Sequence, residues 1–435
     1  MAYLFGRATT TFHHALDTLP ITTNSGKPST LVEICRAATP PCFLNPLLFN
    51  GHLQTLRTVT SNQDIPVYYK RKVFDADTPA FGGTFAVDFV VDEYPEQDES
   101  LPPRTTFFSN AELEKFGSLD SKPMVVVLHG LSGGSHEGYL RSVLETLITP
   151  DGGFEACVVN SRGCALSKIT SPVLYNARAT WDLRQVVKWL QQQFPNRPLF
   201  GLGFSLGANI LTNYLGEEGE PCALKAAVVC SNPWNLEVSS VGHKRTWLGL
   251  HVYSRGMATN MKALIEKHAD QISQNPQINM EKLRNTRFLF EFDREIQCPT
   301  WGYPTENAYY RDASSSDALL SVRIPLFAIN ARDDPIAIEE ALPLQEIGVS
   351  PYVVLCLTSH GGHLGWFESG GGRWFAKPAA NFLKKMATEV DLDLLGKTQP
   401  ATGEDGGVRL TSPSTGKYRD WNAMRRRMDM FPHNA

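Results

Sequence analysis

Five residues constrain this chain more than any others. Gly203-Phe204-Ser205-Leu206-Gly207 lies between a short apolar run, 198–204, and a helix-patterned stretch, 206–216. A GxSxG pentapeptide alone is common. Where a buried strand ends and a helix begins, it is the sequence form of a sharp elbow that lifts a serine hydroxyl above the carboxyl edge of a sheet. Such an elbow needs a parallel sheet around it, and the flanking sequence supplies one. The segments MVVVL (124–128), ACVVN (156–160), LKAAVVC (224–230), IPLFAIN (324–330) and YVVLCLT (352–358) are short continuous apolar runs, as strands buried on both faces require. Leu183, Val186, Val187 and Leu190 fall at i, i+3, i+4 and i+7, the spacing of an amphipathic helix. FAVDFVV (85–91) alternates apolar positions as a strand with one buried face does. Strand and helix in alternation predict an α/β fold: a mostly parallel central sheet with helices on both faces. A nucleotide loop is the rival reading of the glycines. Gly201, Gly203 and Gly207 miss the GxGxxG spacing by one residue, and GxxxxGK[ST] is absent.

Around this centre the chain divides into three parts. Residues 1–60, rich in Pro and Thr, are expected to form an extended N-terminal arm. Residues 61–390 form the main domain. Within it, 95–123 is polar and broken by Pro102-Pro103, which predicts an exposed insertion. The stretch 232–322 interrupts the strand–helix rhythm, is helix-rich and carries Trp234, Trp247, Trp301, Tyr303, Tyr309 and Tyr310; it is expected to be a helical cap-like insertion over a substrate pocket. Residues 391–435 turn polar and Gly/Pro/Ser-rich, which predicts a flexible C-terminal tail. The near-helical spacing of Trp421, Met424, Met428 and Phe431 there offers a docking or membrane-surface helix as the alternative.

A chain of 435 residues with a net charge of −4 can bury a large core and has no electrostatic reason to bind nucleic acid. No stretch reaches the roughly 18 apolar residues of a membrane span, and the first residues do not read as a secretory signal. The eight cysteines are scattered, with no CxxC pair, as free thiols in a reducing compartment would be. The expected location is the cytoplasm, with peripheral contact to membranes or lipid droplets left open.

A serine hydroxyl is a poor nucleophile until a base takes its proton. On an α/β-hydrolase sheet the chain order is Ser, acid, His, with each group on a loop at a strand's carboxyl end. Asn330-Ala331-Arg332-Asp333-Asp334-Pro335 and His360-Gly361-Gly362-His363 supply that order. Asp333, three residues before Ile336, is favoured as the acid, with Asp334 as the alternative. His363 is favoured over His360 as the base, because two glycines before it let the loop approach the serine. The HxxH pair lies outside a clear helix and has no third ligand, which argues against a metal site. The oxyanion donors are expected to be the backbone N–H groups of Leu206 and, from the loop His129–Gly134, Leu131.

Six segments, NPLLFNGHLQTL (45–56), HGLSGGS (129–135), NSRGC (160–164), GFSLGAN (203–209), NARDDP (330–335) and SHGGHLGW (359–366), together resemble the AB hydrolase 4 family over roughly residues 40–390. That family includes bacterial YheT-type hydrolases and fungal medium-chain fatty-acid ethyl ester synthase/esterases. The resemblance implies an α/β-hydrolase fold, no cofactor, and a triad of Ser205, Asp333 or Asp334, and His363. It further implies activity on acyl esters, with water or an alcohol as acceptor and acyl-CoA as an alternative acyl donor. A dedicated O-acyltransferase or thioesterase would use the same residues. A catalytically inactive binding protein is disfavoured, because every triad and oxyanion position is filled. His52 and Gln54, in the most diagnostic segment, are read as tying the arm to the core.

Overall fold

The computed structural model describes residues 6–61, 63–78, 81–149 and 153–395. Ten strands make one sheet: β1 Thr10–His14, β2 Tyr68–Asp75, β3 Thr84–Val91, β4 Thr105–Phe107, β5 Met124–Leu128, β6 Glu155–Asn160, β7 Leu199–Phe204, β8 Leu224–Cys230, β9 Leu326–Ala331 and β10 Val353–Thr358. Their order is β1-β10-β9-β8-β7-β5-β6-β3-β2-β4. From β10 through β6 every neighbour is parallel. β1, β3 and β2 add antiparallel, and β4 runs parallel to β2.

The apolar runs explain the centre. Every residue of β5, β7, β9 and β10 is buried, so these strands need cover on both faces. Helices Gly138–Leu147, Thr180–Gln193, Leu206–Glu218 and Ala376–Thr388 provide it. In Thr180–Gln193 the buried side chains include Leu183, Val186, Val187 and Leu190. β3 departs from the one-sided pattern its sequence predicts. Asp88 on its polar side is fully buried, because Arg71 of β2 pairs with it through two bonds of 2.6 and 2.8 Å.

Residues 6–60 are not an extended arm, which corrects the sequence expectation. β1 pairs antiparallel with β10 and extends the sheet by one edge strand. The helix Leu31–Ala38 is closed by a Thr30/Glu33 capping box and buries Leu31, Ile34, Cys35 and Ala38. A second helix, Gly51–Thr60, is capped by the Asn50 side chain accepting from the Leu53 N–H. Leu31, Ile34, Cys35 and Ala38 fall at i, i+3, i+4 and i+7, a helical period that the prolines and short apolar patches around it obscured. The 95–123 segment likewise contributes β4 to the sheet and a capped turn, Asn110–Glu114. Between β8 and β9 the chain is built of helices, among them Leu236–Arg245, Arg255–Glu266, Leu289–Trp301 and Glu306–Ala313. The tail from residue 396 onward, with Trp421, Met424, Met428 and Phe431, lies outside the described residues.

Candidate active site

β7 delivers Ser205 into the first turn of helix Leu206–Glu218 with φ 51° and ψ −118°. A positive φ is costly for a residue with a Cβ, and the packing around Ser205 enforces it. Its N–H donates to the Cys230 carbonyl of β8 at 2.9 Å. A Cβ on Gly203 would sit 2.7 Å from the Ala208 Cα, and one on Gly207 would press into the His129 carbonyl. The two glycines are what allow strand, helix and the β5 loop to meet at the serine.

The loop after β10 brings His363 to it: Nε2 lies 2.8 Å from Ser205 Oγ. On the other side of the ring, Nδ1 lies 2.8 and 3.1 Å from the two oxygens of Asp334. The favoured acid, Asp333, does not reach the imidazole, which corrects that choice in favour of the alternative. The reason is local. Asp334 Oδ1 accepts the N–H groups of Ile336 and Ala337, each at 2.8 Å, in a turn that aims the carboxylate inward. Its neighbour points the other way, and Asp333 Oδ1 accepts the Gly362 N–H at 3.0 Å. Burial raises the Asp333 pKa above the ordinary carboxylate range. His360 holds its Nδ1 2.8 Å from Ser359 Oγ. Among the described residues, no group of three or more His, Cys, Asp or Glu side chains gathers where a metal could sit.

Leu131 and Leu206, the residues expected to supply the oxyanion N–H groups, line the same cavity as Ser205. The Leu206 N–H opens its helix, where backbone donors lack intrahelical acceptors. The loop carrying Leu131 is braced by groups the sequence did not single out. Tyr139 Oη accepts the Gly130 N–H at 2.9 Å and Tyr175 Oη accepts the Ser132 N–H at 3.2 Å. His129 is buried and its pKa falls to about 4, chiefly through desolvation. It is therefore neutral at pH 7, with Nε2 accepting the Ser161 N–H at 3.0 Å and Nδ1 free to donate to the Gly130 carbonyl at 2.7 Å. Behind the loop, Ser135 Oγ and Asn160 Nδ2 donate to Asp88 at 2.6 and 2.8 Å, joining it to the Arg71 ion pair. Ser135 and Asn160 both fall in segments that carried the family resemblance, which was the available signal.

Part of that signal came from NPLLFNGHLQTL, and the structure gives it a position. Thr55 Oγ1 accepts the His363 N–H at 2.8 Å. Gln54 is fully buried; its Nε2 donates to the Leu48 carbonyl at 3.0 Å and its Oε1 accepts the Phe367 N–H at 2.8 Å. His52 lies 2.6 Å from Tyr253 Oη of the β8–β9 insertion. The helix Gly51–Thr60 thus backs the loop that carries the imidazole.

Over Ser205, the insertion closes a cavity of about 840 Å³ of atom-free space, part of it open to solvent. Leu206, Met257, Met261, Leu289 and Phe290 make much of its wall apolar. A second, more open groove reaches Ser205 and His363 from the side of the His129–Gly134 loop.

A parallel sheet with a strained serine at its carboxyl edge, faced by an imidazole and a buried carboxylate, defines an α/β-hydrolase. The chain belongs to the alpha/beta hydrolase fold family, whose model matches residues 123–369. It is 38% identical over 366 residues to a monoacylglycerol lipase of Saccharomyces cerevisiae, covering 79% of this chain and 80% of the relative. It is 32% identical to the medium-chain fatty acid ethyl ester synthase/esterase 2 of the same yeast, covering 79% of this chain and 85% of the relative. It is 31% identical to the phospholipase ABHD3 of Mus musculus, covering 60% of this chain and 62% of the relative. By fold, family and relatives the chain is an ester hydrolase.

Proposed function

We propose that the chain hydrolyses acyl esters of apolar acids through an acyl-enzyme on Ser205, with His363 as base and Asp334 as its orienting carboxylate. The observation that carries the reading is the continuous Asp334–His363–Ser205 hydrogen-bond path with 2.8 Å at each step. His363 Nε2 takes the Oγ proton as Oγ attacks the ester carbonyl. The Leu131 and Leu206 N–H groups receive the oxyanion, and the imidazolium returns the proton to the leaving alcohol. Water, activated by the same imidazole, then releases the acid. Asp334 accepts from Nδ1–H and stabilises the charged ring, while Asp333 serves the loop backbone. The 232–322 insertion acts as a cap that shapes the acyl site, which its apolar wall suits. The named activity of the yeast lipase supports an acylglycerol as substrate.

Acyl transfer is the second reading, supported by the name of the synthase/esterase relative. An alcohol replaces water in the second half-reaction, with the same residues in the same roles.

Turnover of acyl esters and acyl-CoAs by wild type and Ser205→Ala, with and without ethanol, tests both readings. Activity confined to the wild type is expected, and the ratio of free acid to ethyl ester separates hydrolysis from transfer. Equal activity in the two proteins would remove Ser205 from the mechanism.

Exposed apolar side chains near the site support contact with a lipid surface. Leu47, Phe49, Leu56 and Val59 are exposed, as is Trp247 of the insertion. His52 and Trp247 border one groove beside Tyr253. Among the described residues no helix is long and apolar enough to cross a membrane. Paired Phe49→Ser and Trp247→Ser substitutions are expected to lower co-sedimentation with phosphatidylcholine vesicles; unchanged sedimentation would remove this face from the proposal.

A further inference from the structure

The cavity over Ser205 is not apolar throughout. Asn176, Asp293 and Gln297 share its wall with only 1%, 6% and 3% of their surfaces exposed. Their neighbours fix which polar ends remain. Gln297 Nε2 donates to the Tyr175 carbonyl at 3.1 Å, which leaves Oε1 over. Asn176 Oδ1 accepts the Arg178 N–H at 2.7 Å, which leaves Nδ2. Neither Gln297 Oε1 nor Asn176 Nδ2 has a hydrogen-bond partner. Asp293 stands one turn before Gln297 on the same helix face and accepts the Tyr310 hydroxyl at 2.6 Å.

A buried donor or acceptor without a partner is destabilising, and native chains keep few of them. Here one of each belongs to residues that line the same cavity as Ser205. A ligand group that both donates and accepts matches the pair, and a hydroxyl is the smallest such group. We infer that Asn176 and Gln297, with Asp293 beside them, form a hydroxyl-binding subsite that favours acyl esters carrying a free hydroxyl. The inference rests on the reading of Ser205 as nucleophile and adds the substrate feature that the cavity recognises. Burial lifts the Asp293 pKa to about 7, so near neutrality much of it is an uncharged acid. That suits a hydroxyl better than a cationic head group, which would need a full counter-charge.

The hydroxyl has two chemical sources, the glycerol of a partial acylglycerol or the acyl chain itself. Three substrates of one acyl length separate them: monodecanoylglycerol, ethyl decanoate, and the ethyl ester of decanoic acid bearing a terminal hydroxyl. We expect wild type to prefer one hydroxylated ester over ethyl decanoate by about tenfold in kcat/KM. Which one is preferred identifies the source. In Gln297→Met that ratio should fall towards one; Gln297→Leu replaces it if the first variant does not fold. A wild type that handles all three esters alike overturns the subsite, and the wild-type ranking decides this without any variant. A preference unchanged in the Gln297 variant overturns it as well. In both cases Ser205-dependent turnover of ethyl decanoate leaves the hydrolase reading intact. No Ser205-dependent turnover of any of the three overturns that reading, and the subsite falls with it.

Discussion

At the scale of single residues, the acid is where sequence and structure part. The meeting of Ser205 and His363 at 2.8 Å follows the strand–loop order of the sequence, with the two glycines before His363 favouring it over His360. Asp333 and Asp334 are adjacent in one turn, and side chains of neighbouring residues there point to opposite sides. The choice depends on which carboxylate the backbone N–H groups of Ile336 and Ala337 hold inward, and no one-dimensional pattern records that. Asp334→Asn is expected to keep those two acceptor bonds while turning an amide N–H₂ toward His363 Nδ1. The ring proton is then forced onto Nε2, which can no longer accept from Ser205. By analogy with the same change in other triads, kcat should fall by about 10⁴. Asp333→Asn keeps the acceptor for the Gly362 N–H and should retain most of the turnover, as should His360→Ala. Steady-state kinetics of the three variants on one ester check the assignment. A larger loss in Asp333→Asn than in Asp334→Asn would reverse it.

At the scale of elements, the helix Gly51–Thr60 holds the loop that carries His363. Its Thr55 meets the His363 N–H although the two residues are 308 apart in the chain. A separation of that size is why the segment could be recognised as diagnostic while its task stayed hidden: local periodicity is blind to a contact closed by the whole fold. The bond fixes the backbone from which the imidazole extends, so its loss should loosen the ring and not only the loop. Thr55→Val preserves shape, removes the acceptor and leaves a buried N–H unpaired, which costs about 1–3 kcal/mol. We expect a lower denaturant midpoint of that order together with a reduced kcat. Thr55→Ser, which restores the hydroxyl, should recover most of both. A Thr55→Val protein with unaltered kcat would limit the helix to a packing role.

At the scale of the whole molecule, the parallel core from β5 to β10 was readable because continuous apolar runs leave few alternatives to a doubly covered sheet. The edge strands were not readable: β1 and β4 are short and partly exposed, and only the finished sheet gives them partners. The same burial that makes the core readable also traps ionisable groups, and two of them should imprint opposite pH dependences on stability. Asp293 has its folded-state pKa raised from 3.8 to about 7 by burial, which outweighs the opposing Tyr310 hydrogen bond. Below about pH 4 both folded and unfolded chains hold this proton and its contribution is complete. As pH rises to about 7 the unfolded chain gives the proton up first, and stability is lost. His129 has its folded-state pKa lowered from 6.5 to about 4 by burial, against the hydrogen bond to Gly130. Its contribution is complete above about pH 6.5 and is lost as pH falls toward 4, where the unfolded chain charges first. Relative to wild type, Asp293→Asn should therefore gain stability between pH 4 and 7, by a few kcal/mol in all. His129→Asn should show the reverse trend, its deficit largest near neutrality and shrinking toward pH 4. Denaturant unfolding of the three proteins at pH 4, 5.5 and 7 resolves the two slopes. Parallel curves for Asp293→Asn and wild type would mean that Asp293 titrates alike in the folded and unfolded chains, and that the cavity wall holds an ordinary carboxylate.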